Sequence, residues 1–273
     1  MRYFLILLTL LWAAPIAAET PCGPDAACEI DNGDYHLVFP PDWDGKSELP
    51  ALIWYHGHNS QAASIFRSRG LIETFANNGY LLIAPNGAPL PGRKTRAWPA
   101  RLDGSDRRDD IAFTLSVLDD VEARLPIDTA RIHVAGFSAG GSMAWLMACH
   151  AAERFAGFAS VSGAMRRPVP AENCQSGPFN LIQIHGFTDK QVPFEGRGIR
   201  DWHQGDLFES FGLARATNAC RSNPDNIAIE GEFRCRDWNN SCETGGLRMC
   251  IHDGGHGLPK GWTDQARAFF EQE

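Results

Sequence analysis

Runs of apolar residues alternate with segments of helical periodicity along most of the chain. Short apolar runs rich in β-branched and aromatic residues are typical of buried strands, whereas apolar residues recurring every three or four positions indicate helices. The runs predict strands at 51–55, 80–84, 131–135, 155–162, 179–185 and 247–251. The helical patterns predict helices at 62–77, 109–124, 139–151, 207–220 and 263–272, the first ended by Gly79 as a glycine C-cap. This alternation implies a mostly parallel sheet with helices on both faces.

Residues 221–246 interrupt the alternation, because they are rich in Asn, Gly, Arg and Cys. We expect an irregular, disulfide-tied excursion there. The chain has 273 residues, of which 44% are hydrophobic and 21% charged, with no internal repeat or low-complexity linker, so one globular domain is expected. The net charge of −8 and the lack of a block of basic residues make nucleic acid and anionic membranes poor partners.

The first 18 residues differ in composition from the rest. Arg2 is followed by an apolar run to Ala14 and by small residues before Glu19, which predicts a cleavable secretory signal over 1–18 and a single catalytic domain over 19–273. No later stretch approaches the roughly 20 apolar residues of a membrane helix. The residues before Cys22 lack the leucine and small residues expected ahead of a lipid anchor. We therefore expect a secreted or periplasmic protein without a membrane anchor.

All eight cysteines lie beyond the predicted signal, an even number that favours disulfides in an oxidising compartment. No CxxC occurs, so a zinc ribbon is not expected. Eight cysteines allow 105 pairings. Loop lengths and strand positions suggest Cys22 with Cys28, Cys149 with Cys174, Cys220 with Cys242, and Cys235 with Cys250.

The segment from Arg131 to Trp145 carries the most informative motif. A strand of alternating apolar residues runs into Gly136-Phe-Ser138-Ala-Gly140, and a helical pattern follows at once. This is the context of a nucleophile elbow, a sharp turn that lifts a serine hydroxyl clear of the sheet and leaves no space for a Cβ at either glycine. The alternative is a glycine-rich strand-to-helix turn in which the serine has no chemical role.

An α/β-hydrolase sheet presents its nucleophile, acid and histidine in that chain order at the carboxyl ends of its strands. Asp189 follows the strand that ends in His185-Gly186, where it could orient a histidine or instead cap a turn through its own backbone. Asp201, Asp206 and Glu195 are the nearby substitutes. The histidine candidate is His256, in a glycine-rich loop after the last strand, and the alternative His252 lies within that strand.

The strand at 51–55 closes in His56-Gly57-His58, where such enzymes carry one oxyanion-hole amide. We expect the backbone amides of Gly57 or His58, together with that of Ala139, to form the oxyanion hole. His56 is a candidate substrate-binding residue, although a structural hydrogen-bonding role suits its type better.

Several of these segments together resemble the secreted α/β-hydrolase esterases that include polyhydroxybutyrate depolymerases and feruloyl esterases of carbohydrate esterase family one. The resemblance spans about Tyr35 to Phe270. It rests on the HG turn at His56, the segment from Arg108 to Phe113, the elbow, the HGxxDxxVP segment from His185 to Pro193, and Gly254-Gly-His256.

The resemblance implies an α/β-hydrolase fold, a triad of Ser138, His256 and Asp189, hydrolysis of carboxylic esters, and neither cofactor nor metal. Trp98 lies where the family often carries an aromatic residue beside the active site, so it is a substrate-contact candidate, with a packing role as the alternative. The residues that follow Gly57 and His256 depart from the family's pattern, which leaves the acyl and alcohol groups open. A soluble or oligomeric ester is expected.

Two other classes of function remain open on the sequence. An acyltransferase or a peptidase could use the same triad with a different acceptor or an amide bond. A non-catalytic binding module could retain the fold, but it would be suspected only if Ser138, Asp189 or His256 were missing.

Overall fold

A computed structural model describes residues 22, 26–101, 108–200 and 202–272. The predicted signal at 1–18 and the substitute acid Asp201 lie outside these residues. The strands of the described part are β1 (Cys28–Ile30), β2 (Gly33–Val38), β3 (Leu49–Tyr55), β4 (Leu81–Pro85), β5 (Ala88–Pro89), β6 (Arg96–Ala97), β7 (Ile127–Phe137), β8 (Gly157–Val161), β9 (Leu181–Gly186), β10 (Arg197–Ile199), β11 (Trp202–Gln204), β12 (Asn226–Glu230), β13 (Phe233–Trp238) and β14 (Leu247–His252). The α-helices are α1 (Arg69–Thr74), α2 (Asp110–Arg124), α3 (Ala139–His150), α4 (Leu207–Thr217) and α5 (Trp262–Phe270), with 3-10 turns at Ala62–Arg67, Ala76–Asn78 and Ala152–Arg154.

Ten of these strands form one sheet, in the order β1-β2-β4-β3-β7-β8-β9-β14-β13-β12. Every neighbouring pair from β4 to β14 is parallel, and the pairs at the two edges are antiparallel. The predicted mostly parallel centre is therefore confirmed. Since the central strands run the same way, the segments that follow β3, β7, β9 and β14 all emerge at one end of the sheet.

The sheet separates two hydrophobic clusters, which accounts for the near-continuous apolar runs of its central strands. Alternate residues of β3 face opposite sides: Ile53 and Tyr55 pack with α2, α3 and α4, while Leu52 and Trp54 pack with α5 and with the helical segments between β3 and β4. Helices thus cover both faces, as predicted. This is the α/β-hydrolase arrangement that the resemblance implies.

One predicted helix is wrong as a continuous element. The segment expected as a helix at 62–77 is a 3-10 turn, the short helix α1 and a second 3-10 turn, with a break at Ser68, whose backbone is not helical. Ile65 and Leu71 are six residues apart and would diverge by about 120° on one helix. The break lets both side chains pack into the same cluster. Gly79 does end the segment, with a left-handed φ of 90°.

The expectation of an irregular segment at 221–246 is also partly wrong, because this segment contributes β12 and β13 to the sheet. In β13 the buried residues Phe233, Cys235 and Asp237 alternate with exposed arginines. The segment therefore forms a strand although its composition is polar. The antiparallel strands β1 and β2 at the opposite edge were not predicted either.

The four expected disulfides are confirmed: Cys22–Cys28, Cys149–Cys174, Cys220–Cys242 and Cys235–Cys250. The last joins β13 to β14 directly across the ladder, and the third ties the segment after α4 to the loop between β13 and β14. Among the described residues, no helix has the length and apolar content needed to span a membrane.

Candidate active site

Ser138 lies at the turn between β7 and α3, and its backbone is strained. Its φ of 57° and ψ of −117° fall in a region of backbone conformation that residues other than glycine rarely adopt. A Cβ at Gly136 would lie 2.1 Å from the carbonyl oxygen of Gly140, and a Cβ at Gly140 would lie 2.0 Å from that of Tyr55. Both glycines are therefore required by close backbone approaches, one to the helix and one to the end of β3. The local geometry is that of the predicted elbow.

The structure brings Ser138, His256 and Asp189 into one hydrogen-bonded series, although 118 and 67 residues separate the successive members along the chain. His256 Nε2 lies 2.9 Å from Ser138 Oγ, and His256 Nδ1 lies 2.7 Å from Asp189 Oδ2. The imidazole packs against Phe137, the residue before the serine, at 5.0 Å between ring centroids. With Nδ1–H donated to the carboxylate, Nε2 is left as an acceptor for the serine hydroxyl.

The two carboxylate oxygens of Asp189 serve different partners. Oδ1 accepts from the backbone amides of Gln191 and Val192, each at 2.8 Å, and Oδ2 faces His256. The turn-capping contact that was the alternative for Asp189 is therefore present, together with a hydrogen bond to His256. Burial disfavours the charged carboxylate, but the hydrogen bonds from His256 and the two amides outweigh it, so the pKa of Asp189 lies below its ordinary value.

The alternative residues fall elsewhere. His252 ends β14, is buried, and its Nδ1 accepts from the amide of Gly254, which supports the loop that carries His256. Asp206 caps α4 by accepting from the amide of Glu209. Glu195 is exposed on the loop after Asp189.

The turn that follows β3 lies against the elbow. A Cβ at Gly57 would come within 3.2 Å of the Phe137 ring, and the carbonyl end of β3 contacts Gly140. Gly57 therefore lies against Phe137, the residue before Ser138, and the end of β3 lies against Gly140 in the first turn of α3. The predicted amide donors belong to segments that touch each other.

His56 is occupied by the backbone around it. Its ring is 2% exposed, Nδ1 donates to the carbonyl of Gly57 at 2.8 Å, and Nε2 accepts from the amide of Gly87 at 3.1 Å. The ring also packs against Trp98, at 5.3 Å between centroids. These contacts are those of the structural role weighed against substrate binding. Burial lowers the pKa of His56 to about 4.

Acid should destabilise the fold because two buried histidines resist protonation. Burial lowers the pKa of His133, as of His56, from 6.5 to about 4. Below pH 6.5 the unfolded chain takes up protons that the folded chain does not, so stability is lost as the pH falls from 6.5 to 4. A tenfold change in proton affinity is worth about 1.4 kcal/mol, so each histidine should lower the free energy of unfolding by on the order of 3 kcal/mol over that range.

Urea unfolding between pH 7 and 4 measures this loss. His133 stacks on Phe270 at 4.3 Å between ring centroids, a site that a phenyl ring can fill, so His133→Phe should flatten the pH dependence while His56 still titrates. An equal slope in wild type and variant would contradict this prediction.

Trp98 borders a cavity of about 440 Å³ beside the turn after β3. Its ring is almost fully buried and packs edge-on against Tyr55, at 5.0 Å between centroids, so the packing role weighed in the sequence is present. The other walls are mostly apolar and include Pro89, Leu90 and Trp202, and polar groups reach the cavity from residues that include His58, Arg108 and Arg166. Trp98 therefore packs on one side and lines a cavity on the other.

The sequence reasoning missed a buried polar series behind the acid. Trp145 of α3 donates to Gln183 Oε1 at 2.7 Å, and the Gln183 amide donates to His185 Nδ1 at 3.0 Å. His185 Nε2 then donates to the carbonyl of Val192 at 2.8 Å and lies 3.5 Å from Asp189 Oδ2. All three side chains are buried. His185 belongs to the HGxxDxxVP segment, and its position four residues before Asp189 is the sequence feature that could have indicated this buried series.

Among the described residues, no group of three or more His, Cys, Asp or Glu side chains is arranged to hold a metal ion.

Comparison with known proteins identifies a family for this chain. Residues 32–206 match a family model described as "Putative esterase". "Probable feruloyl esterase C" of Aspergillus niger is 25% identical over 190 residues, covering 67% of this chain and 64% of the relative. "Feruloyl esterase B" of Piromyces equi is 27% identical over 231 residues, covering 81% of this chain and 42% of the relative. The chain thus spans less than two thirds of the length of these two relatives.

A solved structure extends the likeness to most of the fold. The acetyl xylan esterase from Aspergillus awamori superposes with a TM-score of 0.67, covering 88% of this chain and 94% of that one, at 13% sequence identity. At that identity the likeness concerns the fold alone.

Proposed function

The chain belongs to the esterase family whose model covers residues 32–206, and from this membership we propose that it is a secreted serine hydrolase that cleaves carboxylic esters through an acyl-enzyme on Ser138. The observation that carries the proposal is the series Ser138 Oγ, His256 and Asp189, at 2.9 Å and 2.7 Å. These are hydrogen-bond distances for proton transfer from the hydroxyl and for orientation of the imidazole.

In the acylation step, His256 Nε2 takes the proton of Ser138 as Oγ attacks the ester carbonyl carbon. Asp189 holds the tautomer that leaves Nε2 free to accept, and its carboxylate stabilises the imidazolium that forms. The lowered pKa of Asp189 supports this role, because it shows that the hydrogen bonds from His256 and the two amides stabilise the carboxylate form against the cost of burial.

The carbonyl oxygen gains negative charge in this step, and the amides of Ala139 and of Gly57 or His58 are proposed as its donors. The contact between the turn after β3 and the elbow supports this assignment. Amides fixed in a folded backbone need little reorganisation as the charge develops, and each donor of this kind is worth about 10²–10³ in rate.

The tetrahedral intermediate then collapses. The bond from the carbonyl carbon to the alcohol oxygen breaks, and the alcohol leaves with the proton from His256. Water attacks the acyl-enzyme next, giving one proton to His256 Nε2, and the return of that proton to Ser138 Oγ releases the acid.

The cavity beside Trp98 is proposed to receive one side of the ester. Its volume of about 440 Å³ falls in the range of small-ligand sites, and its apolar walls suit an aromatic or short aliphatic group. The names of the two relatives favour a feruloyl ester, and a hydroxybutyrate oligomer is the alternative within the same class.

We also propose that the protein is exported from the cytoplasm. Four disulfides suit an oxidising compartment, so the segment 1–18 is proposed as a cleaved signal and 19–273 as the catalytic domain, secreted or periplasmic without a membrane anchor. Small or oligomeric esters are its proposed partners.

The test is a comparison of esters with direct detection of the intermediate. The oxidised protein is assayed on p-nitrophenyl acetate, butyrate and octanoate, on methyl ferulate and on a hydroxybutyrate oligomer. Mass spectrometry of quenched enzyme should find the acyl group on the peptide that contains Ser138. Preference for ferulate or for the oligomer identifies the substrate branch. Failure of the folded protein to turn over any ester, or an adduct on another residue, would contradict the proposal and favour a transferase or a binding protein.

A further inference from the structure

The strand β12 closes one edge of the ten-stranded sheet, and it is unusually apolar for an exposed edge. Its sequence is Asn226-Ile-Ala-Ile-Glu230. Ile227 is 66% exposed and Ile229 is 78% exposed, which puts both among the few large apolar side chains that the described part of the chain leaves in solvent. Exposed edge strands normally carry lysine, proline or a bulge that discourages pairing with another chain. β12 carries none of these.

The opposite edge of the sheet is protected. β1 has only three residues, and the disulfide from Cys28 to Cys22 ties it to the preceding chain. A short, covalently tied strand offers little template for another strand. The two edges therefore differ in their capacity to pair, and only that of β12 is long and apolar.

The two faces of β12 differ as well. Glu230 points to the side covered by α5, where it accepts from Arg248 at 2.7 Å and from Gln265 at 2.9 Å. Ile227 and Ile229 point to the other side, next to the exposed Arg236 and Arg234 of β13. A surface that exposes two isoleucines on one face and a free backbone edge is suited to a strand with the same pattern.

We propose that β12 pairs with β12 of a second copy of this chain in antiparallel register, joining the two sheets across a two-fold axis at Ala228. In this register Ile227 of each copy lies opposite Ile229 of the other, so all four isoleucines pack on one face. A shift by one residue would put the isoleucines of the two copies on opposite faces.

The charges on β12 favour the antiparallel arrangement. Glu230 is the one ionisable residue of β12, and the antiparallel register sets it opposite Asn226 of the second copy. A parallel pair would put the two Glu230 carboxylates side by side, which is destabilising. The pattern is therefore self-complementary in one direction. Five residues a side make a small interface, so we expect a weak, reversible dimer.

Sedimentation of the oxidised protein over about 1–200 µM tests for the dimer. Ile229→Lys should weaken dimerisation by at least about tenfold, because it places a charge within the isoleucine cluster. Phe208→Lys is the matched control, since Phe208 is 57% exposed on α4 and should leave the dimer unchanged. A monomeric wild type throughout this range, or an Ile229→Lys variant that dimerises as strongly as wild type, overturns the proposal.

The register is tested with Ile227→Cys and Ile229→Cys, made separately. Residues directly opposite in an antiparallel pair lie at about 4.5–5.5 Å, which a disulfide can span, whereas diagonal neighbours lie at about 7–8 Å. Mixing the two variants under mild oxidation should give a cross-linked dimer on a non-reducing gel, and neither alone should do so at a comparable rate. Equal cross-linking of a single variant overturns the antiparallel register. Neither experiment depends on esterase activity.

Discussion

Replacing Ser138 by alanine should lower kcat/KM for every hydrolysed ester by about 10⁴–10⁶ and leave the fold intact. The expected loss is large because the substitution removes the atom that is proposed to form the acyl bond, and leaves only the proposed transition-state binding by the backbone amides and the cavity. Alanine keeps the Cβ and introduces no new contact at the strained turn. The measurement is steady-state hydrolysis of p-nitrophenyl butyrate, with thermal unfolding as the check on the fold.

Ser142 provides the control for this variant. It lies one helical turn after Ser138 in α3, is 1% exposed, and its hydroxyl has no hydrogen-bond partner among the described residues. Ser142→Ala removes only that hydroxyl, so this variant should keep full activity and lose little stability. A Ser138→Ala variant that retains more than about a tenth of wild-type activity would refute the acyl-enzyme assignment. Equal losses in both variants would point to a general effect on α3.

The elbow could be predicted because its geometry constrains the residue types locally. The close backbone approaches at Gly136 and Gly140 exclude any Cβ. This requirement is visible in the sequence as two glycines within five consecutive residues. The choice of His256 over His252 followed from the same kind of information, since only the former lies in a loop. The disulfide pairs were predicted from loop lengths and strand positions, and the structure adds that Cys235 and Cys250 lie opposite each other on neighbouring strands.

The features that the sequence did not predict depend on tertiary contacts. The break at Ser68 serves the packing of Ile65 and Leu71 into one cluster, and no local signal fixes that choice. The strand β13 alternates arginines with buried residues, so its composition resembles that of a loop. The buried series behind Asp189 depends on the hydrogen bond from Trp145 to Gln183. These residues are 38 positions apart on different elements, so the periodicity of the sequence does not indicate their contact.

The hydrogen bonds around Asp189 lead to the second large effect that we expect, a loss of activity in Asp189→Asn. The two backbone amides that bind Oδ1 would select the amide oxygen of the new side chain, since an NH₂ group cannot accept from them. The NH₂ group would then occupy the position of Oδ2, facing His256 Nδ1 and the Nε2–H of His185. His256 would have to accept at Nδ1 and carry its proton on Nε2.

An imidazole in that tautomer cannot take the proton of Ser138, so kcat should fall by about 10⁴, whereas KM should change little because the cavity beside Trp98 is untouched. The fold should survive, since the amide oxygen still caps the turn at Gln191 and Val192. The measurement is kcat and KM for p-nitrophenyl butyrate near neutral pH, with urea unfolding as the check on stability.

The controls are the other carboxylates near Asp189 in the chain. Asp206→Asn should keep full activity, because asparagine caps α4 as well as aspartate does. Glu195→Gln should also be silent, since this side chain is exposed. If Asp189→Asn remained active while one of these two lost activity, the acid would have to be reassigned to that residue. If all three remained active, His256 would work without a carboxylate partner, and the hydrogen bond at 2.7 Å would serve only to hold the loop.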